Sequence, residues 1–328
     1  MKKRNLLVSA IILAVSFGVS LSSVAGAAEV AYPTKPVQLI IPFPPGGWDL
    51  AIRPLADVSE SFLGQKIVIV NKPGAASVSG TAEGIKSRPD GYTLFVAGVG
   101  AMSLQPHMGK VPYKVPDDFE PVMLLGSNPV MLAVGAHTPF KSLEDLVREA
   151  KKRPGEIKYG SSAPGSIQHL AMELLSEKAN IELSHVPFQG AGPAVTALLG
   201  KHIDLCASNP LNLYDHIQSK KFRGIGIFDR KRAPGYPEIP TLAEQGYDLA
   251  VTVWFGIAVP KKTPTHIINK IHDAFKKGME SEKFTSQMAQ MKQDISYLGP
   301  NDFRNFIKEQ HDFNGKIISR LKAAGKLQ

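Results

Sequence analysis

The alternation of short apolar runs with amphipathic segments constrains the fold of this chain more than any other sequence feature. Residues 37–43 predict a first strand, and the breakers Pro-Pro-Gly-Gly at 44–47 end it. A helical face follows at the spacings i, i+4, i+7 and i+11, formed by Ala51, Leu55, Val58 and Phe62. Strands at 67–70 and 92–97, with a weaker helix at 79–87 between them, complete a βαβαβ unit. This order predicts α/β layering around a parallel sheet.

The middle of the chain repeats this alternation. Helical faces lie between predicted strands at 122–125, 130–134, 203–207 and 224–228. Ser142 is predicted to begin one of these helices, because Ser142 and Asp145 have the spacing of a capping box. The apolar run 250–259 is long enough to cross between two halves of the molecule, and Trp254 lies within it. No low-complexity linker separates the halves, so we predict two lobes joined by structured crossovers.

The N-terminal segment has the order of a cleavable secretory signal. Residues 2–4 are basic, residues 6–21 are uncharged and mostly apolar, and Ala25 and Ala27 have A-x-A spacing. The alternative is an uncleaved membrane anchor, but the apolar run is shorter than the roughly 20 residues that span a bilayer. We therefore predict a signal peptide at residues 1–27, cleavage near Ala27, and export to the periplasm. The single cysteine, Cys206, excludes a lipoprotein attachment site after the cleavage point.

Composition excludes several classes of function. One cysteine allows neither an intrachain disulfide nor a thiolate-rich metal site. The formal net charge is +9, but the basic residues are scattered instead of forming the stripe that nucleic-acid binding needs. The nine histidines are dispersed, and the sequence has no H-E-x-x-H motif. We therefore expect no metal, no cofactor and no nucleic-acid partner, and we expect a monomer.

The loops that follow the predicted strands carry the candidate ligand-binding residues. In open α/β sheets ligands bind beyond the carboxyl ends of the strands, where helix N-termini offer free N–H groups and partial positive charge. The candidates are Pro45, Gly46, Gly47, Trp48, Asp49, Gly100, Ser161, Ser162, Gly165, Ser166, His169, Gln189, Gly190, Ala191, Ser208 and Asn209. Such small, polar, donor-rich loops suit an anionic ligand. His169 is expected to support these loops rather than to contact the ligand, and Trp48 is expected to form a cleft wall.

Enzyme motifs match these loops poorly. The segment Gly-Ser-Ser-Ala-Pro at 160–164 has the first glycine and the serine of a nucleophile elbow, but its closing residue is Pro164. Gly-x-Gly pairs occur at 98–100 and 224–226 without the third glycine of a dinucleotide loop. A secreted hydrolase that uses Ser161 or Ser162 is the enzymatic alternative, although the sequence shows no clear Asp/His pairing for either serine.

A series of motifs occurs in a fixed order along the chain. It consists of Tyr-Pro-Thr-Lys-Pro at 32–36, Pro-Phe-Pro-Pro-Gly-Gly at 42–47, Asn-Lys-Pro-Gly-Ala at 71–75, Pro-Asp-Gly-Tyr-Thr-Leu at 89–94 and His-Val-Pro-Phe-Gln-Gly at 185–190. Asp204, Pro-Thr-Leu-Ala-Glu at 240–244 and Trp-Phe-Gly at 254–256 extend it. The series resembles the Bug family of periplasmic receptors, the binding components of tripartite tricarboxylate transporters.

The resemblance implies a type II periplasmic-binding-protein fold, with two doubly wound lobes and a ligand cleft between them. It places the first lobe at 29–128 plus 254–328 and the second at 129–253, with a hinge near Ser127 and Trp254. It also implies that a small carboxylate solute, held partly through waters, contacts Pro45, Gly46 and Gly47 together with the loops at 162–166 and 189–191. The receptor would close on the solute and deliver it to membrane transporter subunits; presentation to a membrane sensor is the alternative.

The loop after the first strand departs from the family pattern. The family commonly has two residues between the paired glycines and the aspartate, whereas only Trp48 separates Gly47 from Asp49 here. This form is closer to the tricarboxylate-receptor branch, so no amino-acid specificity is transferred to this chain.

Overall fold

Two five-stranded sheets organise the chain in the computed structural model, which describes residues 31–45, 49–291, 293 and 295–327. The first sheet has the strand order β2-β1-β3-β10-β4 and the second has the order β7-β6-β8-β5-β9. The strands of the first sheet are β1 (Val37–Ile41), β2 (Ile67–Asn71), β3 (Thr93–Gly98), β4 (Phe119–Pro129) and β10 (Thr252–Pro260). Those of the second are β5 (Met131–Gly135), β6 (Lys158–Ser161), β7 (Ser184–Pro187), β8 (Leu205–Ser208) and β9 (Phe222–Ile227).

Ten α-helices are formed by the described residues, and most of them follow a strand. They are α1 (Asp49–Leu63), α2 (Val78–Lys86), α3 (Gln105–Met108), α4 (Leu143–Lys152), α5 (Ile167–Ala179), α6 (Ala191–Leu199), α7 (Pro210–Gln218), α8 (Thr265–Glu280), α9 (Glu282–Gln290) and α10 (Pro300–Ala323). A short 3₁₀ turn at Ala75–Ser77 precedes α2, and a π-helical turn at Gly100–Leu104 precedes α3. The βαβαβ unit predicted for residues 37–97 is therefore present, with the weaker helix one residue earlier than predicted.

Both sheets are mixed, so the prediction of a parallel sheet is wrong in part. β1 pairs in parallel with β2 and β3, but β10 runs antiparallel to β3 and β4. In the second sheet β6 is parallel to β7 and β8, whereas β5 is antiparallel to β8 and β9. An apolar run reveals that a strand is buried on both faces, but it carries no information about strand direction.

β4 and β10 are the longest strands and lie side by side. Residues 252–260 pair with residues 119–129, and Trp254 stands opposite Ser127 in this register. Register shifts follow Phe255 and Ile257, which marks bulges in the ladder. Trp254 is 1% exposed and packs edge-on against Phe303 of α10, so this tryptophan belongs to the core.

The start of α4 follows a local sequence rule, whereas the interior of α1 does not. Ser142 caps α4 by accepting the Asp145 N–H at 3.1 Å, which confirms the predicted start. The Asp145 carboxylate accepts the Lys141 N–H rather than that of Ser142. Pro54 lies inside α1, where a proline removes one backbone hydrogen bond. The helix nevertheless continues to Leu63, because its apolar face is buried.

Candidate functional site

Asp49 begins α1, and two neighbouring side chains hold its carboxylate. Arg53 donates through Nε to Asp49 Oδ2 at 2.7 Å, and Asn71 donates through Nδ2 to Asp49 Oδ1 at 3.0 Å. Arg53 also donates to Asn71 Oδ1 at 2.6 Å, and Asn71 donates to the Phe43 carbonyl at 3.0 Å. Asp49 is only 2% exposed. Asn71 therefore joins Asp49 at the start of α1 to Phe43 just after β1, and the Asp49 carboxylate is already paired within the protein.

The segment between β2 and α2 has an unusual backbone. Gly74, Ala75, Ala76 and Ser77 have φ values of 140°, 46°, 51° and 78° in succession. Left-handed conformations cost non-glycine residues roughly 1 kcal/mol each and often occur at functional sites. A Cβ at Gly100 would lie 3.5 Å from the Ala76 carbonyl oxygen, so the turn after β3 lies against this segment. Both follow the carboxyl ends of strands, where ligands of open α/β sheets bind.

The loops after β6 and β7 are joined by main-chain hydrogen bonds. The Gly190 N–H donates to the Ser162 carbonyl at 2.8 Å, and the Phe188 N–H donates to the Ser161 carbonyl at 3.0 Å. Ser162 Oγ donates to Gln168 Oε1 at 2.9 Å. The candidate residues of these two loops therefore form one connected surface, and the Ser162 hydroxyl is already used within it.

Ser161 is fully buried at the end of β6. Its Oγ donates to the Ala163 carbonyl at 3.0 Å and lies 2.7 Å from Nε2 of His185. Since the single Ser161 hydroxyl hydrogen goes to Ala163, His185 Nε2–H is the donor to Oγ and not a base that removes its proton. The sequence showed no sign of an Asp/His pairing for Ser161. The fold brings His185 to it, but this pair has the opposite polarity to that of a serine nucleophile and its base.

His169 and Ser166 set the conformation of the Gly165 turn at the start of α5. Ser166 Oγ accepts the His169 N–H at 3.3 Å and caps the helix, and His169 Nδ1 accepts the Gly165 N–H at 2.9 Å. His169 is 5% exposed. The N–H groups of Ile167 and Gln168 in the first turn have no intrahelical acceptor. They are the main-chain donors that this loop has available.

Two further helix starts contribute candidate residues. Gly190 is the N-cap of α6 with φ 120°, and its lack of a side chain leaves the first N–H groups of α6, beginning at Ala191, without a side-chain cap. At α7 the N-cap is Asn209, whose Oδ1 accepts the Leu211 N–H at 2.9 Å. Ser208 Oγ accepts from Asn212 Nδ2 at 3.1 Å. The first N–H groups of α6 are therefore more available to a ligand than those of α7, where the Asn209 side chain already accepts one of them.

The remaining candidates are placed as follows. Pro45 and Gln189 are exposed, whereas Gly46, Gly47 and Trp48 lie outside the described residues. The contribution of these residues to ligand binding stays a prediction, as it does for all sixteen candidates.

Four residues that support the loops were missed from the sequence. They are Arg53, Asn71, Gln168 and His185. Arg53 had a usable signal, because it stands four residues after Asp49 on a helix and such pairs of opposite charge meet. The other three are brought into contact by the fold, and their spacing to their partners along the chain carries no signal.

Neither a membrane span nor a metal cluster is found among the described residues. No helix in this part of the chain is long and apolar enough to cross a bilayer. In the same residues, no three His, Cys, Asp or Glu side chains come together as metal ligands would.

Comparison with known proteins identifies the family. The profile of the tripartite tricarboxylate transporter family receptors matches residues 51–323. The chain belongs to this family. Its members are periplasmic solute-binding receptors and not enzymes, so the hydrolase alternative is wrong.

Relatives and solved structures cover nearly the whole receptor. BugT of Bordetella pertussis is 34% identical over 286 residues, which are 85% of this chain and 87% of BugT. The structure of the periplasmic binding protein BugD has a TM-score of 0.80 at 30% identity and covers 90% of this chain and 99% of its own. An R. palustris protein solved with adipate has a TM-score of 0.82 at 27% identity, with 90% and 99% covered. These likenesses confirm the Bug resemblance and the two-lobed periplasmic-binding-protein fold.

Proposed function

We propose that this receptor binds a small organic acid in the periplasm by closing its two lobes, and delivers it to a membrane transporter. The observation that carries the proposal is the chemistry of the candidate loops. They offer main-chain N–H groups at the starts of α5 and α6, and the one carboxylate among the candidates, Asp49, is paired with Arg53. Adipate in the R. palustris structure is a dicarboxylate, which supports a ligand of this class.

The proposed contacts are main-chain donors rather than hydroxyl groups. The hydroxyls of Ser161 and Ser162 donate within the protein. Ser166 Oγ accepts from its own helix, so its hydroxyl hydrogen remains available to a ligand. In the first lobe we propose the main-chain N–H groups of Gly46, Gly47, Trp48, Asp49 and Gly100; Pro45 has no N–H and would contact the ligand through its carbonyl and a bridging water.

We place the first lobe at residues 29–128 plus 254–328 and the second at 129–253. The grouping of β1–β4 with β10 in one sheet and of β5–β9 in the other supports these boundaries. The hinge is proposed near Ser127 and Trp254, where β4 and β10 run side by side close to both crossovers. Ligand would select the closed form through contacts that only the closed form makes.

Export through the predicted signal peptide at residues 1–27 would bring the receptor to the periplasm. Delivery to transporter subunits is supported by the family, whose receptors are named for the tripartite tricarboxylate transporters. Co-purification of tagged receptor with detergent-solubilised membranes, with and without ligand, would test this step. Capture of a sensor protein instead of transporter subunits would contradict delivery.

Ligand binding is tested by a thermal-shift screen against adipate, other di- and tricarboxylates, keto acids and aromatic acids. A ligand at 100 times its Kd stabilises the folded state by about 2.7 kcal/mol, which is an easily measured rise in Tm. Dimethyl adipate is the matched neutral control and is expected to give no rise. Equal stabilisation by the ester, or none by any carboxylate, would contradict the proposal.

A proline substitution tests the donor at the start of α6. Ala191 is the first residue of α6, where proline is well tolerated, so Ala191→Pro removes one N–H and leaves the helix intact. We expect about a tenfold loss of affinity for the carboxylate that the screen finds, the size of one charge-assisted hydrogen bond. Glu282→Pro at the exposed first position of α9 is the matched control and should leave affinity unchanged.

A further inference from the structure

The imidazole of His169 has a fixed place beside the Gly165 turn. His169 lies in the first turn of α5, and the Ser166 cap fixes where this turn begins. Gly165 has φ +66°, a left-handed conformation, and a Cβ there would lie 2.7 Å from the Met108 methyl group. The turn closes through the Ser166 N–H, which donates to the Ala163 carbonyl at 3.2 Å. Gly165 is thus enclosed between His169 and Met108.

The hydrogen bond from Gly165 determines the tautomer of His169. The Gly165 N–H donates to Nδ1 at 2.9 Å, so Nδ1 carries a lone pair and the ring proton is on Nε2. Nε2 faces Glu173 Oε1 at 3.9 Å. A protonated His169 would carry hydrogens on both nitrogens, and Gly165 would lose its acceptor. The contact therefore requires a neutral imidazole.

The surroundings of His169 keep it neutral. Its ring stacks on His185 with centroids 3.9 Å apart, and His185 stacks on Tyr159 at 4.9 Å. Tyr159 donates to Glu173 Oε1 at 2.8 Å, and Lys326 Nζ lies 3.6 Å from Glu173 Oε2. Burial lowers the pKa of His169 to about 4, and burial together with the neighbouring His169 lowers the pKa of His185 to about 4. At neutral pH both rings are uncharged.

An open cavity of about 1140 Å³ lies beside this cluster, next to the edge strand β7. Its titratable lining groups are Lys151, His169, Glu173, Glu182, His185 and Lys326. Gly165 and Met108 also line it, so water reaches the neighbourhood of the turn. The turn therefore has solvent on one side and needs a specific contact to keep one conformation.

We propose that His169 is a positioning residue of the ligand loop, which holds Gly165 through Nδ1 and so fixes how the loop at 162–166 and the start of α5 meet a carboxylate. The proposal rests on the proposed function for the identity of the ligand. This role requires a hydrogen-bond acceptor at a defined position, whereas a role in packing alone would not. Only an acceptor at the position of Nδ1 satisfies Gly165, and the second ring nitrogen is dispensable.

Two substitutions separate the ring nitrogens. The Oδ1 of asparagine is bonded to Cγ as Nδ1 is, whereas the amide of glutamine lies one bond further, near the position of Nε2. H169N is therefore expected to keep the Gly165 contact, and H169Q is expected to lose it. H216N and H216Q form the matched control pair, because His216 lies in α7 and its ring contacts Phe222 at a tilt, with centroids 4.9 Å apart.

Amide hydrogen exchange at Gly165 and the affinity for adipate are measured for all five proteins, with the acid that the screen finds replacing adipate if adipate gives no shift. We expect H169N to keep slow exchange and an affinity within about twofold of wild type. H169Q should exchange at least tenfold faster and bind about tenfold more weakly, one lost hydrogen bond of about 1.4 kcal/mol. The control pair should resemble wild type in both measurements.

Equal behaviour of H169N and H169Q, whether both resemble wild type or both fail, would overturn the proposal. Fast exchange in H169Q with unchanged affinity would overturn it as well, because the contact would then have no influence on binding. If wild type binds no carboxylate at all, the proposed function fails, and with it the role in ligand binding. The exchange rates then still show whether His169 fixes the turn, so the two failures are distinguishable.

Discussion

The two groups of candidate loops are held by opposite kinds of chemistry. In the first lobe a charged pair, Asp49 and Arg53, holds the start of α1, and Asn71 bridges it to the Phe43 carbonyl just after β1. In the second lobe neutral rings and hydroxyls do this: His185 contacts Ser161, and His169 contacts Gly165. Both arrangements hold main-chain groups in place without adding a free negative charge. A free negative charge there would repel an anionic ligand.

The difference predicts different sensitivities. Added salt weakens an ion pair that solvent reaches, and the Arg53 side chain is 43% exposed. Salt has little influence on a neutral imidazole that accepts an amide hydrogen. Acid protonates the imidazole, and the amide then loses its acceptor. The first lobe should therefore respond to ionic strength and to charge removal, and the second to protonation. Four predictions test this contrast.

The largest effect is expected from acid. The pKa of His169 and of His185 falls from 6.5 to about 4 in the folded state. The unfolded chain takes up protons at these positions near pH 6.5, whereas the folded protein does so only near pH 4. Their contribution to stability is therefore fully present above pH 6.5 and is lost as the pH falls to 4. We expect a loss on the order of 3 kcal/mol for each ring, measured by urea unfolding.

Carboxylates titrate in the same range, so the measurement needs a reference. A double variant, H169N with H185N, keeps every carboxylate and lacks both imidazoles. The difference between wild type and this variant, followed from pH 7 to pH 4, isolates the histidines. A difference that stays constant over this range would show that the stacked pair is not kept neutral by the fold.

The next largest effect is expected from Asp49→Ala. The change leaves Arg53 without its anion and Asn71 with one acceptor fewer. We expect a loss of about 2 kcal/mol in the free energy of unfolding, because hydrogen bonds to charged groups are the stronger ones. Asp57→Ala is the matched control, an exposed acid on the same helix, and should change it by less than about 0.5 kcal/mol. Equal losses in the two variants would show that the contacts of the Asp49 carboxylate do not stabilise the fold.

The sequence predicted the architecture better than the support of the site. The apolar runs located β1, β2 and β3, because burial on both faces requires such runs. They did not reveal that β10 is antiparallel to its neighbours, since direction depends on where the chain returns to the sheet. The ordered motifs identified the family, although each motif alone is short.

The positions of the candidate loops were predicted from the sequence, but the side-chain contacts that hold them were not. Glycine, serine and proline clusters mark where strands end, so Gly165 and Gly190 could be selected by position. His185 lies 24 residues from Ser161, and Asn71 lies 22 residues from Asp49. Contacts at such separations depend on strand pairing, which the chain spacing does not encode. His169 was expected to support the loop, and in the structure its Nδ1 accepts the Gly165 N–H.

A smaller effect is expected from Gly165→Ala. The left-handed φ of +66° costs an alanine roughly 1 kcal/mol, and the added Cβ would lie 2.7 Å from the flexible end of Met108. We expect a total loss of about 1 to 2 kcal/mol in unfolding experiments. Gly64→Ala is the matched control, because Gly64 has φ +84° with open space around it. A loss at Gly165 no larger than at Gly64 would mean that Met108 yields freely and does not confine the turn.

The smallest effect is expected from Lys326→Gln. Lys326 Nζ lies 3.6 Å from Glu173 Oε2, and the lysine side chain is 40% exposed. Such partly exposed pairs contribute little, so the free energy of unfolding at pH 7 should change by less than about 0.5 kcal/mol. Glu173 keeps the Tyr159 hydroxyl as a partner in the variant. A loss above about 1 kcal/mol at neutral pH would show that the second lobe also depends on an ion pair, and the contrast between charged and neutral support of the two loop groups would no longer hold.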